Sequence, residues 1–357
     1  MANLSRSIPI FYTADHLLHQ PRSEYDRGMQ IPYQEVARRI ESARDALLAL
    51  PFTFEIQPEL LLLEKQITRV HSRAMLEHLR QSSAFANQQE QILGQDDLYL
   101  YPWIFPQNQR MRVGLLKSPD VAGCFAFDTY APIGKNTFQA VIASANLAYC
   151  AAQEIIDQQV RVAYALCRPP GHHAARDMLG GYCYLNNAAI AADQLHQTLG
   201  RGAILDIDYH HGNGTQEIFW DDPEVLFVSI HADPGDEYPF FSGFEDEKGG
   251  AAAKGANLNL PLPKGCDDFT YRIALEQALQ SIQDLQPNWL VLSAGYDTCW
   301  ADPTTFLNLS DAMYGEIGEC IGQLNIPITI VHEGGYAVEQ NGVLAARLLS
   351  GIVDSFA

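Results

Sequence analysis

The sequence predicts an α/β protein built on a mostly parallel sheet with helices on both faces. Three observations carry that prediction. Short β-branched runs alternate with stretches of helical spacing, the pattern of strands buried on both sides beneath crossover helices. Four of the runs lead straight into polar, Gly-rich or His-rich segments, as strands do where a ligand site gathers past their carboxyl ends. The 357 residues are 47% hydrophobic and only 18% charged, enough apolar material for a sizeable core.

Taken in chain order, residues 33–49 (YQEVARRIESARDALLA) and 138–158 repeat their apolar positions at helical spacing. The first β-branched run is Val162–Leu166, followed by a helix-like stretch over about 186–199. Ala203–Ile207 and Val225–Ile230 are the next two strand candidates. A second helix-like stretch covers about 268–285, then come the run Trp289–Ser293, a helix over about 310–324 and the run Ile326–Val331. At roughly 100–200 residues per domain the length would allow two domains. With no internal repeat and no Pro/Ser/Gly linker, one domain over 1–357 is the simpler expectation.

Charge narrows the partners. Lys plus Arg total 23 against 43 Asp plus Glu, a formal −20 that would repel phosphate backbones and anionic lipid. Nucleic acid and membrane surfaces are therefore disfavoured, and a cationic substrate is favoured. The start, MANLSRSIPIFYTADHLL, lacks an apolar export segment, and nowhere do 18 apolar residues run together. Seven scattered cysteines without a Cys-x-x-Cys pair read as reduced thiols in a cytoplasm.

The four strand endings are CRPPGHH, DIDYHHGNG, AGYD and HEGGY. Asp208 and His210 stand two apart where a strand would still be ending, so both side chains can point one way. With Asp297 at another strand end they form a candidate metal set that leaves positions open for water and substrate. Taken singly, Asp208 and Asp297 read as helix caps or turn formers and His210 as a packed surface ring; nothing structural needs the set together. Two carboxylates and one imidazole leave Zn, Fe(II), Mn and Co open. His172 and His173 can divide labour if different partners tune them, and Asp206 and Asn213 suit that purpose, one charged and one neutral. Tyr336 follows Gly334-Gly335, which gives its phenol room to approach a substrate and donate to a developing oxyanion. Gly180-Gly181-Tyr182 offers a backbone wall beside a ring, and Tyr238, Pro239 and Phe240 offer further walls for a narrow apolar channel.

With RPPGHH, GGYCYLNN, DIDYHHGNGTQEIF, SIH, SAGYDT and HEGGY in this order, the chain resembles the arginase–deacetylase superfamily, in its zinc-dependent deacetylase branch. It looks most like the bacterial acetylpolyamine amidohydrolases and histone-deacetylase-like amidohydrolases. The likeness is dense from Val162 to Tyr336 and implies a single α/β domain on a central eight-stranded parallel sheet. It further implies zinc at Asp208, His210 and Asp297, proton transfer by His173, charge stabilisation by His172 with Asp206, and oxyanion binding by Tyr336. Structural potassium is implied at Asp206, at backbone oxygens of Asp208, His210 and Ile230 and at the Ser229 hydroxyl, with a second monovalent site around Phe219 and Val225. His211 reads as structural. One departure stands out: polyamine-specific members carry acids in the loop before the helix near Thr137, where this chain has Ala122 and Tyr130, with Asp120 and Asp128 as candidate substitutes.

The expected activity is hydrolysis of small acetylated amines such as acetylpolyamines, by a cytoplasmic homodimer or higher homo-oligomer. Acetyl-lysine in proteins is the alternative substrate. A catalytically silent metal-binding relative and a two-manganese ureohydrolase are weaker alternatives, the latter because it needs more carboxylates. The segment Asp221–Glu247, with nine acids and no Lys or Arg, is expected in part beside the channel mouth.

Overall fold

In the computed structural model, which describes residues 7–104 and 123–356, eight parallel strands form one sheet. They are β1 (Ile8–Phe11), β2 (Thr53–Ile56), β3 (Val162–Ala165), β4 (Gly202–Asp206), β5 (Val225–Ala232), β6 (Asn257–Leu262), β7 (Leu290–Ala294) and β8 (Ile328–His332). Their order across the sheet is β6-β5-β4-β7-β8-β3-β1-β2. Strand alternation sends side chains to two separate cores. Ala203, Leu205, Leu290 and Leu292 enter one, and Ile204 and Val291 enter the other.

The first core is covered by α1 (Arg38–Leu48), α7 (Asp268–Leu285), α8 (Asp311–Gly322) and α9 (Val338–Ser355) through Leu47, Ile282, Ile317 and Leu348. The second is covered by α3 (Arg73–Leu93), α4 (Thr137–Ile156) and α5 (Asn187–Leu199) through Leu79, Leu147 and Ile190. Short α2 (Glu64–Val70) and α6 (Asn213–Phe219) are the other α-helices among the described residues. Helix starts follow capping chemistry: the side chains of Asn186, Asp267 and Ser310 accept from the N–H groups of Ala189, Thr270 and Met313.

Three strands carry no clear signal in the sequence. β1 is only IPIF, β2 is TFEI at the sheet edge, and β6 interleaves Asn257 and Asn259 with its leucines. The helix expected from residue 33 begins at Arg38, because Glu35 is drawn into the interior, where its carboxylate meets Arg39 at 2.6 Å. β8 starts at Ile328 rather than Ile326, since Pro327 has no N–H for the ladder. The loop positions Asp120 and Ala122 lie outside the described residues.

Candidate active site

The strand order places a site before any side chain is considered. From β4 the chain moves outward to β5 and β6, whereas from β7 it moves the opposite way to β8. The crevice between the carboxyl ends of β4 and β7 is therefore a topological switch point, where open α/β sheets bind ligands. Asp208 and His210 follow β4, and Asp297 follows β7. Candidate ligand atoms of these three residues all lie within 4.8 Å of one another. The imidazole Nδ1 of His210 is 3.3 Å from Asp208 Oδ1 and 3.2 Å from Asp297 Oδ2.

The donor set fits a cation. Both carboxylates are fully buried. Burial opposes a charge on His210, yet hydrogen bonds and charge from Asp208 and Asp297 outweigh it and push the ring's pKa up to about 10. A field that strong on a buried imidazole favours any positive charge placed between the carboxylates. Two glycines make the cradle. A Cβ on Gly295 would stand 2.3 Å from Asp208 Oδ2, and one on Gly334 would stand 2.4 Å from Asp297 Oδ2. Backbone donors fix the carboxylates: Tyr209 N–H to Asp297 Oδ1 at 2.8 Å and Gly334 N–H to Asp208 Oδ2 at 2.8 Å.

Beside this set stand the two histidines that end the CRPPGHH loop, with ring centroids 4.0 Å apart. His172 Nδ1 lies 3.0 Å from Asp206 Oδ2, and His173 Nδ1 lies 2.8 Å from Asn213 Oδ1. Both partner oxygens accept, so each ring carries a proton on Nδ1. Their environments then separate them. Burial works against a charged His172, but Asp208 and Asp206 overcome it and push the ring up to about 10. Burial, with repulsion from His172 and His210, holds His173 well below the ordinary histidine value. One ring is thus held charged and its neighbour neutral.

Tyr336 closes the opposite side, 5.7 Å ring to ring from Tyr182. Burial lifts its phenol well above the ordinary value even though Arg39 lies 5.0 Å from the ring, so the hydroxyl remains a donor at neutral pH. Asp302 accepts from the N–H groups of Tyr336 and Ala337. Arg39 donates to the carbonyls of Glu333 and Gly335. Sequence reasoning missed Glu35, Arg39, Asp302 and Glu333 as parts of the site. Glu35 and Arg39 stand four apart, a spacing that reads as an ordinary helix-surface pair.

A cavity of about 350 Å³ opens from His173, His210 and Tyr336 to the surface. Gly181 and Tyr182 line it as expected, and Gly181 is required there. Its φ is +53°, and a Cβ would stand 2.4 Å from the His173 ring. Tyr238 lines it too, whereas Phe240, 55% exposed, lies outside the lining. The expected apolar channel is partly polar: Asp26, Arg27 and Glu237 line it, as does the buried Glu24, whose carboxylate accepts from the Tyr182 hydroxyl. Of the nine acids in Asp221–Glu247, Glu237 alone is among the lining residues. Asp128 does not face the cavity. Its Oδ2 accepts from the Tyr238 hydroxyl at 2.6 Å and Gly181 N–H at 2.9 Å. Tyr130 instead donates its hydroxyl to Asp26 at 2.8 Å.

Such a fold with such a site defines a class: α/β proteins with an Asp–His–Asp set able to hold a metal at the switch point of a parallel sheet. Comparison with known proteins gives the family. The histone deacetylase domain matches residues 33–352, and the chain belongs to that family of deacetylase hydrolases. It is 40% identical over 348 residues to acetylpolyamine amidohydrolase 2 of Pseudomonas aeruginosa, covering 95% of this chain and 97% of the relative. Acetylpolyamine amidohydrolase 1 of the same organism is 41% identical over 350 residues, with 95% and 97% covered. A crystal structure of an acetylpolyamine aminohydrolase from Burkholderia pseudomallei superposes with a TM-score of 0.89 at 36% identity, covering 97% of this chain and 98% of that one.

Proposed function

We propose that the chain, one catalytic unit over 1–357, hydrolyses the acetamide of small acetylated amines, acetylpolyamines among them. The observation that carries the substrate class is the cavity, whose lining includes the partly exposed carboxylates Asp26 and Glu237 as well as His173, His210 and Tyr336. Asp208, His210 and Asp297 would hold zinc. Zinc there would polarise the amide carbonyl and lower the pKa of a water to near ~7. His173, protonated on Nδ1 toward Asn213, presents a free Nε2 that takes the proton of the attacking water and returns it to the leaving amine. His172, charged against Asp206, stabilises the negative charge that develops. Tyr336 donates to the oxyanion.

Potassium would be held by Asp206, the carbonyls of Asp208, His210 and Ile230, and the Ser229 hydroxyl. Asp206 and Ser229 are register partners across β4 and β5, and no Lys or Arg pairs with Asp206 among the described residues. His211, fully buried with its ring 4.5 Å from His231, supports a structural role. The exposed Phe240, Phe241 and Phe306 support a homodimer or larger assembly. Among the described residues no helix is long and apolar enough to cross a membrane; the seven cysteines, all free thiols, support a cytoplasmic setting.

The deciding experiment is a turnover panel of N-acetylated diamines and polyamines, a neutral acetamide of equal length and acetyl-lysine peptides. Cationic acetylamines should give the highest kcat/KM, an advantage that shrinks at 1 M salt, where the Debye length is ~3 Å. Faster turnover of peptides than of every acetylated amine would transfer the function to protein deacetylation. Asp26→Asn should lower kcat/KM for the cationic substrates about two- to fivefold, the scale of a partly exposed charge pair, while sparing the neutral acetamide. The histidine roles are separable as well. With metal content equal, His173→Ala should lower kcat by about 10²–10⁴ and His172→Ala by no more than that; the reverse order would exchange their roles.

A further inference from the structure

Two of the loops that meet at the site leave neighbouring strands, β3 and β8. The first carries His172 and His173, the second Tyr336. Strand pairing ends where these loops begin, so side chains must hold one against the other. Glu333 bridges them. Its Oε2 accepts from the N–H of Gly171 at 2.7 Å and from the N–H of His172 at 3.2 Å, and the side chain is fully buried. Arg168, in the same loop as His172, donates to Glu35 Oε1 at 2.9 Å, and Arg39 donates to that oxygen at 2.6 Å. Arg39 in turn grips the carbonyls of Glu333 and Gly335. These contacts close a buried ring through Glu333, the Arg168–His172 loop, Glu35 and Arg39, and none of the four charged side chains lines the cavity.

We propose that Glu333 is a positioning residue, whose carboxyl oxygen sets the backbone of the tandem histidines relative to the tyrosine loop and so sets the distance between His173 and Tyr336. The inference rests on the reading of those two residues as the proton-transfer and oxyanion groups. What matters at Glu333 is an acceptor oxygen at the right reach rather than a negative charge. Both of its hydrogen bonds come from neutral backbone N–H groups, and no Lys or Arg forms an ion pair with it among the described residues. A displacement of about 1 Å in such a constellation costs on the order of 10²-fold in rate.

Three substitutions test this in the full-length, metal-loaded protein with an N-acetylated diamine as substrate. Glu333→Gln keeps the oxygen and the reach, Glu333→Asp keeps the charge and shortens the reach, and Glu333→Ala removes both. Expected are a 10- to 100-fold loss of kcat in Asp and Ala with KM within about twofold, and a Gln variant within about threefold of wild type. Hydrogen exchange at Gly171–His173, read without substrate, should quicken in Asp and Ala and stay slow in Gln. Rescue by Asp but not by Gln would overturn the proposal in favour of charge balance. Activity within twofold in all three would overturn it outright, as would a failure of all three to fold, which would mark Glu333 as a core residue. A wild type without turnover would condemn the proposed function instead, while the exchange pattern would still report whether Glu333 holds the loop.

Discussion

Asp297→Ala is expected to abolish both metal binding and hydrolysis, with kcat down by more than ~10³. Lewis-acid stabilisation contributes several kcal/mol to such a reaction, and each ~1.4 kcal/mol is a factor of ten. Two protein ligands would remain, Asp208 and His210, one too few for the usual three-ligand catalytic zinc site. The folded chain should tolerate the change. Burial and the neighbouring Asp208 both push the Asp297 carboxyl up, so its removal relieves an unfavourable charge. Against that, Tyr209 N–H loses the acceptor it meets at 2.8 Å, a cost of about 1–3 kcal/mol. His210 also loses one of the two carboxylates that favour its charge, so the metal-free variant should be no more stable than the metal-free wild type. Chelation should therefore lower the Tm of the wild type, because a metal that binds only the native state stabilises it, and leave the Tm of Asp297→Ala where it was. Metal analysis completes the test: about one zinc per chain in the wild type and none in the variant. A variant that keeps tight zinc would refute the ligand assignment, and Asp208→Ala should behave in the same way.

The candidate metal set was legible in the sequence because each member sits at or just past a strand end, and strand ends are marked by an abrupt change from β-branched to polar residues. The strand order was not legible. Nothing local in Gly202–Asp206 or Leu290–Ala294 says that these strands are neighbours, so the switch point emerges only in the folded sheet. The mouth of the cavity was hidden for a similar reason. Asp26 and Tyr130 are 104 residues apart and meet because a short hairpin, Ser23–Asp26 with Met29–Pro32, is laid over the loop before α4. That hairpin brings Asp26 and Arg27 to the cavity, where the run Asp221–Glu247 supplies only Glu237. Glu35 and Arg39 were concealed by their own periodicity, since four-residue spacing on an amphipathic helix reads as solvent-facing until Arg168 is seen to approach from the sheet.

Tyr336→Phe is expected to lower kcat by roughly 10²–10³, the range for loss of one oxyanion donor, while metal content and Tm stay at wild-type values. The hydroxyl is suited to that single duty. It has no hydrogen-bond partner among the described residues, so its removal strands no buried donor or acceptor. The ring keeps its neighbours, Tyr182 at 5.7 Å and the Arg39 guanidinium at 5.0 Å, so the loop after β8 has no cause to move. The phenol's raised pKa means that it donates rather than accepts near neutral pH, as an oxyanion requires and a ground-state carbonyl requires less. The loss should consequently fall on kcat, with KM changed little. Metal retention separates this variant from Asp297→Ala, where activity and metal disappear together. A fall of less than tenfold would remove Tyr336 from the oxyanion role. Nearby backbone would not readily replace it, since Asp302 holds the N–H groups of Tyr336 and Ala337, Asp128 holds that of Gly181, and the Cys183 carbonyl holds that of Gly180.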